Sequence, residues 1–120
     1  MVWQAAAALA ERLDFTLTRR LRETVDRGGL TETDIRELTT TADGWARLLR
    51  AQIRKSEQRL GRLTADVESG VTELAGELRR LELLRPQLEQ TESLALELEA
   101  KARQIRTAWL LDQADAARPV

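Results

Sequence analysis

Apolar residues recur along the chain at intervals of three and four, which is the period of an amphipathic α-helix rather than the alternation of a β-strand. In the first part of the chain the interval is four, through Leu9, Leu13, Leu17, Leu21 and Val25. Gly28-Gly29 follows this stripe, and glycine takes the left-handed conformation that ends helices without steric cost. The pattern predicts a first helix over about residues 2–27.

The second helix has the clearest start signal in the chain, at residue 31. Thr31 is placed to be its N-cap, and Asp34, three residues on, forms a variant of the capping box. Glu32 and Asp34 also put negative charge in the first turn, where the helix dipole favours it. The apolar stripe that follows consists of Leu38, Ala42, Trp45, Leu49, Ile53, Leu60, Leu63 and Val67.

From Leu60 to Trp109 the chain keeps the alternating three- and four-residue spacing of a heptad repeat, with Glu77 as a charged interruption. The other positions on the repeat are Leu63, Val67, Gly70, Leu74, Leu81, Leu84, Leu88, Thr91, Ala95, Leu98, Ala102 and Ile105. Spacing of this kind, sustained over this length, is typical of coiled coils.

Two topologies fit this pattern, and they differ in the position of the second turn. The first topology turns at Ser69-Gly70, whereas the second continues the second helix to Leu84 and turns at Arg85-Pro86. The glycine, and the ease of pairing two helices of near-equal length, favour the first. The unbroken heptad spacing across that glycine favours the second.

The sequence therefore predicts an all-α fold, an elongated antiparallel helical hairpin or three-helix bundle with coiled-coil heptads. In the favoured topology the helices cover about 2–27, 31–68 and 71–113, the last with a kink at Pro86. They form a single helical domain over 1–115, followed by a frayed tail over 116–120.

The chain of 120 residues contains no cysteine and no histidine. Their absence removes thiol nucleophiles, disulfides, imidazole acid–base catalysis and zinc sites of the usual kinds. The serines, Ser56, Ser69 and Ser93, therefore lack a histidine base. The many glutamates are expected on solvated helix faces rather than around a metal ion. We expect no enzymatic activity, no cofactor and no metal site.

The first residues lack the basic start of a signal peptide, and no apolar run approaches the ~20 residues that a membrane-spanning helix needs. The preference for Arg over Lys, together with frequent Ala and Leu, is typical of a GC-rich bacterial genome. We expect a cytoplasmic bacterial protein.

Charge is unevenly distributed although the net charge is only −1. The stretch 47–62 carries one acid, Glu57, and six bases, Arg47, Arg50, Arg54, Lys55, Arg59 and Arg62, whereas the stretch 63–99 has nine acids and three bases. We expect the basic stretch to pair with the acidic half of the same chain or of another copy. An acidic protein partner is less favoured, and nucleic acid or a membrane surface is unlikely. No aromatic residue interleaves the bases, which argues against stacking on single-stranded nucleic acid.

Tryptophan occurs at Trp3, Trp45 and Trp109. Trp45 and Trp109 lie on the apolar stripes and are predicted to be core residues, while the position of Trp3, near the start of the first helix, is less defined. A tryptophan left exposed on a helical bundle would be a candidate partner-binding residue. The three tryptophans and the six bases of 47–62 are therefore the candidate partner-binding residues.

A first helix shorter than the other two leaves part of their seam uncovered, and another helix is expected to close it. The sequence thus predicts a non-catalytic interaction protein, a scaffold, adaptor or assembly subunit of a larger bacterial complex, with a protein partner or a homo-oligomer. One alternative is a chaperone or regulatory subunit that holds a client helix in its groove. A second is a nucleic-acid or membrane-surface binder acting through residues 47–62.

Overall fold

The computed structural model describes residues 15–66, 68 and 70–118, and in this part of the chain it contains helices and no strand. The helices are α1 (Leu17–Arg27), α2 (Glu32–Ala65) and α3 (Val71–Ala116). Helices α2 and α3 form a long antiparallel hairpin, and α1 packs against both. The molecule measures 82 × 27 × 21 Å, so the predicted all-α, elongated fold is confirmed.

The turn between α2 and α3 lies at residues 66–70, as in the first of the two topologies. The backbone N–H of Asp66 closes α2 by donating to the Arg62 carbonyl at 3.1 Å, and Gly70 is the N-cap of α3. A turn at Arg85-Pro86 is wrong, because α3 continues through Pro86. Proline removes one backbone donor from a helix, but the packing of buried Leu81 and Leu84 against α2 offsets that loss.

The helix bounds differ from the predicted ones at three places. Helix α1 begins at Leu17, after a turn at residues 15–16, and the predicted helical residues 2–14 lie outside the described residues. Helix α2 ends at Ala65, three residues before the predicted end. Helix α3 reaches Ala116, beyond the predicted end at 113 and into the predicted tail, of which residues 119–120 lie outside the described part.

Both ends of the α1–α2 connection follow from the local sequence. Gly28 and Gly29 have φ of 72° and 68°, a conformation that side chains with a Cβ rarely adopt. The backbone N–H of Asp34 donates to the Thr31 hydroxyl at 3.1 Å, and the backbone N–H of Thr31 donates to the Asp34 carboxylate at 3.0 Å. This capping box lowers the pKa of Asp34, chiefly through the backbone hydrogen bond from Thr31.

The apolar core consists of two clusters along the hairpin. The first joins all three helices through Leu21, Val25, Ile35, Ala42, Leu94 and Leu98. The second lies nearer the 66–70 turn and consists of α2 and α3 residues, Trp45, Leu49, Ile53, Leu81 and Leu84. Leu17 of α1 packs against both clusters.

A chain of buried hydrogen bonds connects the three helices close to where the clusters meet. Trp45 Nε1 donates to the Thr18 hydroxyl at 2.9 Å, and the Thr18 and Thr91 hydroxyls are 3.1 Å apart. Thr91 donates its single proton to the Gln87 carbonyl at 2.7 Å. Because a hydroxyl has only one proton to donate, Thr18 must be the donor to Thr91. Each hydroxyl therefore donates once and accepts at least once.

Replacing Thr18 by valine keeps the shape of the side chain and removes its hydroxyl. The Trp45 N–H then loses its acceptor inside the core, so we expect Thr18→Val to lower the free energy of unfolding by about 1–3 kcal/mol. Urea denaturation measures this change. The control is Thr40→Val, since the exposed Thr40 hydroxyl bonds only to its own helix, at the Arg36 carbonyl. That control should change stability by no more than about 0.5 kcal/mol. Equal small losses in both variants would contradict the prediction.

Candidate interaction surfaces

Helix α3 is longer than its partner, with 46 residues against 34 in α2. Ile105 is the last residue of α3 that is partly buried, and it packs against the first core cluster. Every described residue from 106 to 118 is exposed. We call residues 106–116 the α3 overhang; at 1.5 Å per residue it extends roughly 16 Å past the region that the other described helices cover.

Large apolar side chains lie next to one another on the α3 overhang. Trp109, Leu110 and Leu111 are 60%, 60% and 61% exposed. Successive helical residues are rotated by about 100°, so these three side chains surround more than half of the helix. Single exposed apolar residues are ordinary on protein surfaces, whereas a contiguous exposed group marks an interaction site.

The two tryptophans that the structure describes differ in their exposure to solvent. Trp45 is in the core with 2% exposure, so it is not accessible to a partner on the surface. The prediction that Trp109 is a core residue is wrong. Trp109 does continue the apolar stripe of Leu98 and Ile105, but α2 starts too late in the chain to reach it. Trp3 lies outside the described residues.

Leu110 and Leu111 were missed in the sequence analysis, which followed heptad positions alone. The signal was available as three large apolar residues in a row, Trp109-Leu110-Leu111. A helix with one apolar stripe has polar residues at such neighbouring positions. An unbroken apolar group therefore indicates a helix end with more than one face to bury.

The six bases of residues 47–62 are all exposed on α2, and the structure divides them into two groups. Arg50 lies 3.4 Å from Glu92, and Arg59 lies 3.1 Å from Glu77. These two bases therefore pair with the acidic half of the same chain. The other four, Arg47, Arg54, Lys55 and Arg62, form no ion pair with any residue that the structure describes.

Helix geometry explains this division. Arg47, Arg54 and Arg62 are seven and eight residues apart, so they share one face of α2. The buried residues of α2, such as Leu49 and Ser56, lie on the opposite face. The unpaired bases therefore point away from α3 and form a basic outer face on the hairpin.

A buried polar site near the turn was also missed. Glu77, the charged interruption of the heptad, accepts hydrogen bonds from the Ser56 hydroxyl at 2.5 Å and from the Arg59 guanidinium at 3.1 Å. Its side chain is 11% exposed. The Ser56 hydrogen bond, with a smaller contribution from Arg59, lowers the pKa of Glu77, and burial opposes this shift.

The Glu77 site is suited to holding the two helices in register rather than to chemistry on a substrate. Beside it, the Arg80 guanidinium donates to the Gln52 side-chain oxygen at 2.8 Å. Both carboxylate oxygens of Glu77 already have partners within the hairpin. A polar pair at core positions of two facing helices favours one alignment over others. The sequence signal was the polar residues Gln52 and Ser56 on the inner face of α2.

A groove of about 570 Å³ lies beside the base of the overhang, between the first turns of α2 and residues 99–106 of α3. Most of the residues that line it are polar or charged, with Arg36, Glu99, Arg103 and Arg106 among them. The apolar lining comes from Ile35 and Ala102, and Ile35 is already buried. The groove therefore offers few apolar anchors to a client helix.

Within the described residues, no three side chains of the usual metal-ligating types come together to hold a metal ion. No helix in that part of the chain is both long enough and apolar enough to cross a membrane.

No protein-family model, curated protein or solved structure matches the chain.

The lowered pKa of Glu77 gives stability a defined pH dependence. A carboxyl group with a depressed folded-state pKa stabilises the fold fully above its unfolded value of about 4.3 and loses that contribution as the pH falls through the folded value. We therefore expect the stability gap between the wild type and Glu77→Gln to be larger at pH 7 than at pH 3, as measured by urea denaturation. The control is Glu82→Gln, at an exposed glutamate without an ion pair to the described residues, and it should show little gap at either pH. A Glu77→Gln gap that does not change with pH would contradict this prediction.

Proposed function

We propose that the chain is a non-catalytic helical interaction protein, a scaffold, adaptor or assembly subunit of a larger bacterial complex, which binds protein through the α3 overhang. The observation that carries this proposal is the exposure of Trp109, Leu110 and Leu111 on a helix end that no other described residue covers. Full burial of a large apolar side chain contributes about 1.5–3 kcal/mol, so covering part of this exposed group favours association.

The shape and composition of the overhang favour a protein partner over a small molecule. Small-molecule sites are concave, whereas the overhang is a projecting helix. Tryptophan is enriched among residues that dominate binding at protein interfaces. Trp109 is followed by two leucines and has charged residues one turn away on each side, Arg106 and Asp112. This arrangement resembles an apolar interface centre with a polar rim.

Helix stability also favours a bound state. Most helical stability in proteins comes from packing of an apolar face, and the other described helices give the overhang no such packing. A partner helix that covers Trp109 and its neighbours would stabilise the last turns of α3.

A cytoplasmic location is part of the proposal, because the chain lacks the cysteines that form the disulfides of many small extracellular domains.

Photo-crosslinking in the cell of origin tests the proposed function. A photoreactive phenylalanine analogue in place of Leu110 should give one discrete adduct with a protein. The matched control carries the same analogue in place of Gln104, an exposed residue of α3 before the overhang, and should give much less adduct. Equal labelling from both positions, or none from either, would contradict the proposal. An adduct with a second copy of the chain and an adduct with a different protein both support it.

The basic outer face of α2 supports a second candidate function, binding to the phosphates of nucleic acid. Arg47, Arg54, Lys55 and Arg62 are exposed and form no ion pair with the described residues, so their charges are available. Each phosphate contact contributes about −0.9 to the slope of log affinity against log salt. Four contacts would give a slope of about −3 to −4.

A gel-shift titration with a short DNA duplex at several salt concentrations tests this second function. Replacement of Arg47, Arg54 and Arg62 by glutamine should reduce the slope by about 3 units. The control replaces three exposed arginines that are already ion-paired, Arg19, Arg36 and Arg85, and should preserve most of the slope. Absence of binding at low salt, or equal losses in the two triple variants, would rule out the basic face as a nucleic-acid site.

A further inference from the structure

The α3 overhang has a definite order of charge along its axis. Arg103 and Arg106 precede the apolar group Trp109-Leu110-Leu111, and Asp112 and Asp115 follow it. None of these four charged side chains forms an ion pair with a residue that the structure describes. Residues 103–116 of α3 are therefore an apolar segment between a basic half and an acidic half.

This order makes the overhang complementary to itself in one orientation. When two overhangs lie antiparallel with their apolar groups side by side, the basic half of each is level with the acidic half of the other. In a parallel pair, Arg106 is level with Arg106 and Asp112 with Asp112. Helices pack 8–10 Å apart, which is about one Debye length at physiological salt, so the charges of the two overhangs interact. The helix dipoles also favour the antiparallel pair.

We infer that the partner of the overhang is a second copy of this chain, bound antiparallel about a two-fold axis that passes close to Trp109, which makes residue 106 level with residue 112 of the other copy. This inference rests on the proposed function, since it names the occupant of the same surface. An isologous pair of this kind closes on itself and produces a dimer rather than a filament. The two hairpins extend away from the shared overhangs in opposite directions.

The position of the surface supports this arrangement. The overhang lies at one end of a rod 82 Å long, so two copies meet there without a clash between the bodies of their hairpins. The groove at the base of the overhang adds space for the tip of the partner helix, and Arg103 and Arg106 line it. In the inferred dimer, the tip of α3 of one copy brings its Asp112 and Asp115 towards the arginines of the other copy. Two short overhangs bury less than a standard interface, so the dimer is weak and depends on concentration.

Sedimentation equilibrium of the purified chain over a wide concentration range tests the inference. We expect a monomer–dimer equilibrium, which Trp109→Ser weakens by at least about tenfold because the serine removes apolar area from the centre of the interface. The control is Leu96→Ser, at an exposed leucine of α3 within the hairpin, and it should leave the dimer unchanged. Circular dichroism of both variants checks that they remain folded. A monomer at every concentration, or equal effects of the two variants, would overturn the inference.

Charge reversal tests the orientation. Arg106→Asp and Asp112→Arg should each raise the dimer Kd by about two- to tenfold, the effect of an exposed ion pair that occurs twice in a symmetric dimer. The double variant restores complementary order and should return the Kd to within about twofold of the wild type. If the double variant loses as much dimerisation free energy as the two single variants lose together, the antiparallel arrangement is wrong.

The chain has no cysteine, so single-cysteine variants give a direct geometric test. Gln104 and Ala116 are exposed on α3 on either side of the inferred two-fold axis. A short bismaleimide added to a mixture of Gln104→Cys and Ala116→Cys should link the two different variants in preference to two identical ones. Preferential linkage of identical variants indicates a parallel pair and overturns the inference.

The two proposals fail in different ways. If the pure chain is monomeric while Leu110 crosslinks a different protein in cells, the second-copy inference is wrong and the proposed function stands. If the pure chain is monomeric and no crosslink forms, both are wrong. A crosslinked adduct of twice the chain mass, together with the expected sedimentation results, supports both.

Discussion

The alignment of α2 against α3 decides which surfaces this protein leaves open. Two buried polar contacts hold that alignment, one through Trp45, Thr18 and Thr91 and one through Ser56 and Glu77. A slip of either helix would separate these groups inside the core, and buried polar groups without partners are costly. With the alignment held, the greater length of α3 must project from the end opposite the 66–70 turn. The exposed apolar overhang is thus a geometric result of two polar contacts elsewhere in the hairpin.

Much of the fold was predictable because its signals are local. The helix start at Thr31 and Asp34 requires only a threonine hydroxyl, a carboxylate and their spacing. Likewise, Gly28-Gly29 ends α1 because both residues adopt positive φ. The position of the second turn was open, since Pro86 and Gly70 are both helix-breaking residues in isolation. Tertiary packing on α2 decided between them, and no local pattern contains that information.

The candidate sites were harder to predict, for a physical reason. A heptad pattern shows which face of a helix is apolar, but burial of that face depends on whether a neighbour extends far enough to cover it. Trp45 and Trp109 occupy similar positions on their stripes, yet one is in the core and the other is exposed. Glu77 shows the reverse case, a charged residue that the repeat marks as an interruption and the fold holds as a buried partner of Ser56.

The division of the core into two clusters has a consequence for how the molecule opens. Leu21, Val25 and the Arg22 contact with Glu97 hold α1 to the hairpin in the half that is farther from the 66–70 turn. The half near that turn is built mainly from α2 and α3. Local unfolding of α1 would therefore loosen one half of the rod and leave the other intact. The chain therefore contains two units of unequal resistance to opening within one continuous hairpin.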